Sequence, residues 1–381
     1  MKKILLSVVT IATIITTLSA NSELETLKAQ MAIMMQKIEK LEADKAGKGV
    51  VEVASIAPKK AGALVKSKAP VLKFSGKHYV GFVSDNAGDD RVNDFETRRN
   101  YFQVKAYFAE DPKDYFRVTL DTFHNTKDDG KDKGSWEVRL KYAYLYLDSV
   151  LPYTGVEIGQ AHRPWIDYEE HHGWNYRSIS KVMVEAHDGA HFTNSADLGV
   201  NFKTKTENFS SEVGLFNGEG YHGIEDGNGL SGEWRVTGHL LGTGKKHVHK
   251  HDTYADVSFF GQYNTDYKAK GNDFVWYGVH AVYNQEAFLL AGQYIKASDG
   301  GASKEGDGWS VNGEYRVMEN WNLLGRYDNF ELDAGSEKRR ALAGVSYQYN
   351  KNVEFIANYL TEEVGDVTQS DKMMLTAEVN W

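Results

Sequence analysis

The chain has 381 residues, a formal charge of −9 and a mean hydropathy of −0.51. Apart from residues 4–18, no apolar run approaches the roughly 20 residues of a membrane-crossing helix, so a helical membrane protein is excluded. The absence of cysteine removes disulfides, thiolate chemistry and Cys-based zinc or iron–sulfur sites, and acids spread along the chain argue against nucleic acid as a partner.

At the amino terminus Lys2 and Lys3 precede ILLSVVTIATIITTL, which is too short to span a bilayer, and then the small residues Ser19 and Ala20. That order predicts a secretory signal over residues 1–20 and an exported mature chain. Within residues 21–45 the apolar spacing changes to three and four, so that Leu24, Leu27, Met31, Met34, Ile38 and Leu41 take the a and d positions of about three heptads. A lone helix of that length is marginal in water, so the segment is expected to hold copies of the chain together as a coiled coil. Met35 widens the seam, which favours three copies over two, and Lys37 is placed to pair with Glu42 of a neighbour. A helix folded back onto its own chain is the alternative. Residues 46–70 have no period and read as a linker, with Lys59, Lys60, Lys66 and Lys68 solvated.

From residue 71 onward the chain alternates at period two, the repeat of a strand. The 22 Tyr, 17 Phe, 8 Trp and 36 Gly, with only 5 Pro, suit strands and tight turns. YQYNKNVEFIANYL shows the unit. Val345, Tyr347 and Tyr349 share one face of the first arm, and Val353, Phe355, Ala357 and Tyr359 share one face of the second, with Ile356 as a stray on the wet side. Asn350-Lys351-Asn352 is the corner, expected there because Asn tolerates positive φ.

Connectors alternate between short (109–114, 284–286, 319–320, 350–352) and long (125–135, 299–307, 332–339, 363–372). A soluble sandwich or propeller has no reason for that rhythm, whereas an outer-membrane barrel carries short turns at one end and long loops at the other. The count is about 16 strands of roughly 9 to 11 residues, among them 100–108, 136–147, 274–283 and 287–297. An open edge is forbidden in lipid, so the final strand, MLTAEVNW, must close on the first. The expected fold over residues 71–381 is an all-β transmembrane barrel of antiparallel strands, preceded by the short α-helical coiled coil.

A barrel this wide encloses a water-filled channel, and the polar half of each alternation faces it. These positions are Arg99, Tyr101, Gln103 and Lys105, then Arg117, Thr119 and Asp121, then Glu137, Arg139 and Lys141, which makes one wall positive. Further on, Arg235 is expected to meet Glu233, Arg316 to meet Glu314 and Arg326 to meet Asp328, while Glu354 and Glu378 stand alone. The longest connector, residues 163–195, is too long to be idle and is expected to fold inward as a constriction. It carries Arg163, Asp167, Glu169, Glu170, His171, His172, Arg177 and Lys181. If its acidic part faces the Arg99 wall a transverse field results; if Arg177 and Lys181 do, the eyelet favours anions.

ETRRNYFQVKAYF, EIGQAHRPW and GLFNGEGY resemble the paired-arginine strand, the GQ strand with its Pro-aromatic exit before the third loop, and the NG strand end of the phosphate-selective porins of the O and P type. The likeness runs over roughly residues 71–381. It implies a homotrimer of barrels in the outer membrane of a Gram-negative cell, passing anions along an arginine-lined wall. By position Arg98 and Arg99 match the paired arginines, and Gly159, Gln160 and Pro164 match the strand before the loop. Asn100 and Tyr101 stand where that family's next basic residue is usual.

The expected function is passive diffusion of small hydrophilic solutes or inorganic anions, with no chemical step and no cofactor. A channel specific for sugars or organic acids, using Tyr101, Trp276 and Phe260 as an aromatic slide, and an envelope-anchoring barrel are the alternatives. His247, His249 and His251 are expected in a solvated turn, because a metal site needs converging ligands and supporting partners. The Gly- and acid-rich GDGWSVNGEY is read as a flexible loop, and HFTNSAD lacks a nucleophile elbow.

Overall fold

The computed structural model describes residues 69–381 except 88–90, 109–112, 126–133, 222, 224–228, 267–271 and 301–303. The signal, the heptad segment and most of the linker expected from the sequence lie outside the described residues. Sixteen strands follow in chain order. The first eight are β1 (Val71–Asp85), β2 (Val92–Tyr107), β3 (Tyr115–His124), β4 (Trp136–Leu151), β5 (Thr154–His162), β6 (Ala196–Lys205), β7 (Phe209–Phe216) and β8 (Ser231–Leu241). The rest are β9 (Tyr254–Asn264), β10 (Phe274–Gln285), β11 (Phe288–Ser298), β12 (Gly306–Met318), β13 (Trp321–Leu332), β14 (Glu337–Asn350), β15 (Val353–Val364) and β16 (Val367–Asn380).

Every strand pairs antiparallel with its sequence neighbours, and β16 closes on β1, so the sheet has no edge. The burial pattern is inside out. Asp121, Asn201, Asp256 and Arg326 are buried, while Phe259, Val279, Leu290, Trp309 and Leu323 are exposed. Period-two alternation produces this directly when one face of each strand meets hydrocarbon and the other meets the lumen.

Three local expectations are corrected. The Asn350 corner has no positive φ; instead Asn350 Oδ1 accepts the backbone N–H groups of Asn352 and Val353, at 2.8 and 3.0 Å, so its side chain makes the turn. The supposed long connectors after β13 and β15 are residues 333–336 and 365–366 only. Their polar flanks stay in the ladder because they pair across strands: Arg339 meets Glu363 at 2.9 Å and Arg340 meets Glu362 at 3.0 Å. GDGWSVNGEY likewise lies in β12 and is strand throughout. Strand lengths run from 8 to 16 residues, wider than expected, with β1, β2 and β4 among the longest.

Both ends of the barrel chain lie at the short-turn end, where Val71 pairs with Tyr107 and Asn380 with Lys77. That end carries one long connection, residues 242–253 between β8 and β9. At the opposite end residues 163–195 turn inward, with α1 (Ile166–His172) as their first element.

Candidate functional site

The inward loop packs onto one half of the wall. Trp165, Ile166, Trp174, Val182, Met183 and Phe192 form a continuous apolar core with inward side chains of β9 to β16, among them Phe260, Trp276, Ile295, Phe330, Leu342 and Ile356. Trp165 lies flat on Phe260, with ring centroids 3.5 Å apart and an interplanar angle of 4°. Stacking and burial of this kind fasten the loop, and polar contacts fix its register. Tyr168 donates to Asp256 at 2.6 Å, Asn312 donates to the Gly173 carbonyl at 2.5 Å, and Arg340 reaches Ser180 and the Lys181 carbonyl.

Two buried charges of the loop face different partners. Arg163 contacts Asp197 at 2.5 Å and Glu233 at 3.2 Å, which takes Glu233 away from the Arg235 expected beside it; Arg235 instead meets Glu212 at 3.2 Å. Glu169 accepts from Gln293 at 2.7 Å and Trp165 at 2.9 Å and lies 3.4 Å from Arg326. Burial pushes its carboxyl up to about 7, with Arg326 opposing the rise. Arg326 and Asp328 meet at 2.8 Å, as do Arg316 and Glu314. Glu378 and Glu354 do not stand alone: Lys77 lies 3.4 Å from the first and Lys250 3.5 Å from the second.

The other half of the wall, β1 to β8, presents charged and tyrosine side chains to the cavity. Arg99 and Arg139 flank Asp121 at 3.7 and 2.9 Å. Strict alternation would send Arg98 outward. A bulge opposite Tyr79 and Val80 adds one residue to β2, and Arg98 turns in to reach Glu96 at 2.5 Å, Thr376 at 2.6 Å and the Ser178 carbonyl at 3.1 Å. Both paired arginines therefore reach the lumen, with Arg98 bound to the inward loop.

A second bulge, in β4 opposite Thr119 and Leu120, brings Tyr142 inward beside Lys141. Gln160 pins it by donating to the Leu140 and Lys141 carbonyls at 2.7 and 2.9 Å. Gly159, at φ 124°, sits where a Cβ would strike the Ala143 carbonyl. The GQ pair thus builds the backbone that presents Lys141.

Three cations on this wall rest on tyrosines. Lys141 donates to the Tyr101 hydroxyl at 2.8 Å and lies 4.2 Å from that ring; Lys105 lies 4.6 Å from the Tyr115 ring; Arg117 lies 4.5 Å from the Tyr142 ring and 3.0 Å from His162 Nε2. A ring face attracts a cation without cancelling its charge. Lys203 differs, lying between Glu157 at 3.3 Å and Glu212 at 3.2 Å. The sequence reading does not single out Lys203, Glu157, His162 or Glu212; the strand parity of β5 to β7 marks Glu157, Lys203 and Glu212 as inward, while His162, of opposite parity, enters at the end of β5.

The loop faces this wall with charges of both signs. Asp167 lies 3.7 Å from His162; burial would raise its carboxyl, but His162, His171, Lys203 and Arg117 outweigh that and hold it well below the usual range. Arg177 binds Glu170 and Glu185, and Lys181 meets Glu185 at 3.3 Å. Neither end of the loop alone reaches the wall, so the two arrangements expected from the sequence coexist.

From this constriction a cavity of about 560 Å³ runs to the short-turn end. It is lined by nine Lys and Arg side chains and four Asp and Glu, with six Tyr and five His. Residues 242–253 fold into its mouth. Asn284 donates to the Lys250 and Asp252 carbonyls at 3.0 and 2.6 Å, and Lys250 meets Glu314 at 3.4 Å and Tyr176 at 3.3 Å. The expected solvated turn is thus partly docked, with His247 lying 5.8 Å from the His171 ring and 5.7 Å from the His249 ring. Burial, then His171 and His249, pushes the His247 imidazole below its ordinary value. Among the described residues no group of three or more His, Asp or Glu converges to hold a metal ion.

Trp276 and Phe260 are 2 % and 0 % exposed beneath the loop, so no solute in the cavity touches them. Tyr101 alone of the three expected slide residues lines it.

No family model matches the chain, and no curated protein matches it by sequence. Solved structures match over the barrel. OmpF of Salmonella typhi, in complex with daunomycin, aligns at a TM-score of 0.58 and 14% identity, over 82% of this chain and 98% of that one. An anion-selective porin from Comamonas acidovorans aligns at 0.58 and 12%, over 81% and 98%. The trimer form of OmpT of Vibrio cholerae aligns at 0.54 and 14%, over 82% and 100%. At these identities the likeness is one of fold: this chain shares the closed barrel of outer-membrane porins.

Proposed function

We propose that this chain is a porin of a Gram-negative outer membrane, a homotrimer whose barrels let small hydrophilic solutes diffuse and favour inorganic anions over cations. No bond is made or broken and no cofactor is called for. The anion preference rests on the lining, nine basic side chains against four acidic ones in a chain whose overall charge is −9. Lys105, Arg117 and Lys141 are the residues this reading leans on most, because tyrosine faces rather than carboxylates hold them. Arg99 and Arg139 contribute less, since Asp121 lies between them.

The edge-free sheet with its outward apolar band supports a place in the outer membrane, among outer-membrane lipid. The heptad seam and the trimeric form of one structural neighbour support the homotrimer. The heptad segment would lie in the periplasm, because the barrel chain begins at the short-turn end. Phosphate selectivity, suggested by the likeness to the O and P type porins, is the finer form of the same reading.

Reversal potentials in a planar bilayer under a salt gradient test it. The wild type is expected to prefer the anion, and K105Q/K141Q to lower the anion-to-cation permeability ratio severalfold. Cation preference in the wild type removes the anion reading, and absence of any conductance favours an anchoring barrel instead.

A further inference from the structure

Passage through the channel needs no chemistry, yet one part of the cavity wall is arranged for it. Ser210 on β7, His239 on β8 and Asp256 on β9 all take inward positions, with Ser210 opposite Thr237 and His239 opposite Asp256 in the ladder. Ser210 and His239 line the cavity, while Asp256 is 1 % exposed. The imidazole joins the other two. His239 Nδ1 lies 2.7 Å from Asp256 Oδ1, and Nε2 lies 2.9 Å from Ser210 Oγ.

The two ends of this chain of hydrogen bonds fix its direction. A carboxylate only accepts, so Asp256 takes the Nδ1 proton and Nε2 is left as an acceptor. Tyr168 donates to the other Asp256 oxygen at 2.6 Å, so both oxygens are engaged and the carboxylate is held in place. A guanidinium only donates, and Arg235 Nη1 donates to Ser210 Oγ at 3.0 Å, so the serine hydroxyl turns its own proton toward Nε2. A serine hydroxyl aimed at a neutral imidazole that a carboxylate orients is the constellation that makes serine a nucleophile. No sharp strand-to-helix turn is needed to expose it, because the inward face of β7 already presents Ser210 to the cavity.

We propose that Ser210, His239 and Asp256 form a second functional site, an acyl-accepting serine that acts on small carboxylic esters carrying a negative charge. Ser210 Oγ bonds to the acyl carbon as its proton passes to His239 Nε2. The bond from that carbon to the leaving oxygen breaks, and the leaving oxygen takes the proton. Water then bonds to the acyl carbon, giving a proton to His239, which returns it to Ser210 Oγ as the carboxylic acid departs. Arg235 is placed to steady the negative charge that develops on the carbonyl oxygen. The choice of a charged ester rests on the anion-favouring reading of the lining; the triad itself does not.

The test uses the full chain reconstituted in lipid, with the monoanion para-nitrophenyl succinate as probe and released nitrophenolate as readout. The wild type is expected to release it, and S210A and H239Q are expected to slow release by about a hundredfold or more, with folding judged by heat-modifiable mobility. S258A, which removes the buried serine bonded to Thr237 at 2.8 Å, is expected to react like the wild type. Release that is equal in the wild type and S210A, as acylation of channel lysines alone would give, overturns the proposal and leaves the network as a brace of the wall. Release by H239Q at the wild-type rate overturns it too. Neutral para-nitrophenyl acetate reacting through Ser210 as fast as the succinate overturns the charged-ester assignment. Reversal potentials of the same preparations report on the transport reading separately, and S210A is expected to keep the wild-type value.

Discussion

On β9 to β16 the inward positions include Phe260, Trp276, Ile295, Phe330 and Ile356, whereas on β2 to β6 they include Tyr101, Lys105, Arg117, Lys141 and Lys203. The same alternation sets both halves of the lumen, but the first half would expose apolar surface to water if nothing covered it. The inward loop covers it, so its core and its wall desolvate each other. The second half has no such apolar cover and carries the charged side chains that line the cavity. The barrel is thus a half-filled tube, and the channel is the half that the loop's apolar side leaves open.

The sharpest way to break this division is to loosen the dry half. Trp165→Ala removes the ring that lies on Phe260 and leaves a cavity in a buried core, which costs about 3–5 kcal/mol. The loop is then expected to leave the wall part of the time, raising single-channel conductance severalfold and admitting larger solutes in liposome swelling. If conductance and size limit stay at wild-type values, the loop is held by its polar contacts and the apolar core is incidental.

That division was only half legible in the sequence. Strand number, closure and the polarity of each face follow from period two, because the alternation is local and every strand repeats it. The docking side of the loop depends on contacts across the lumen, which no local pattern carries. Its one trace in the sequence is the set of apolar residues at inward positions: Ile356 as a stray, Phe260 and Trp276 as candidate slide aromatics, with Ile295 and Leu342 completing the patch. Bulges hid the rest. The extra residues at Arg98 and Lys141 change strand parity, and only cross-strand register reveals them. Two polar hairpin arms passed for loops because their charges pair across strands rather than facing water singly.

Glu169 sharpens the comparison by making the seal depend on pH. Its carboxyl is raised to about 7 when the loop is docked, whereas an undocked Glu titrates near its ordinary value of 4.5. A carboxyl raised on docking binds its proton more tightly in the docked state, so the stabilisation is complete below pH 4.5 and is lost as pH rises through 7. Each pH unit within that window weakens docking by up to about tenfold. Excursions to the high-conductance state should therefore become more frequent from pH 5 to pH 7 in the wild type and show little pH dependence in E169Q. Excursions that grow rarer as pH rises, or an unchanged slope in E169Q, would exclude Glu169 as the titrating group.

The smallest effect is expected from a matched pair of aromatic substitutions, one on each half. Trp276→Phe lies wholly beneath the loop, where it removes a 3.1 Å hydrogen bond to Gln262 and some packing. It should lower thermal stability slightly and leave selectivity and solute preference untouched. Tyr101→Phe keeps its ring in the channel but takes the hydroxyl from Lys141, whose ammonium loses a 2.8 Å partner and gains mobility. A small shift in reversal potential is expected from Tyr101→Phe alone. An aromatic slide for sugars would invert this order, because sugar stacking uses the ring and not the hydroxyl. Saturable sugar uptake that falls with Trp276→Phe and survives Tyr101→Phe would mean that the loop opens to expose the apolar wall, and that the dry half is itself part of the path.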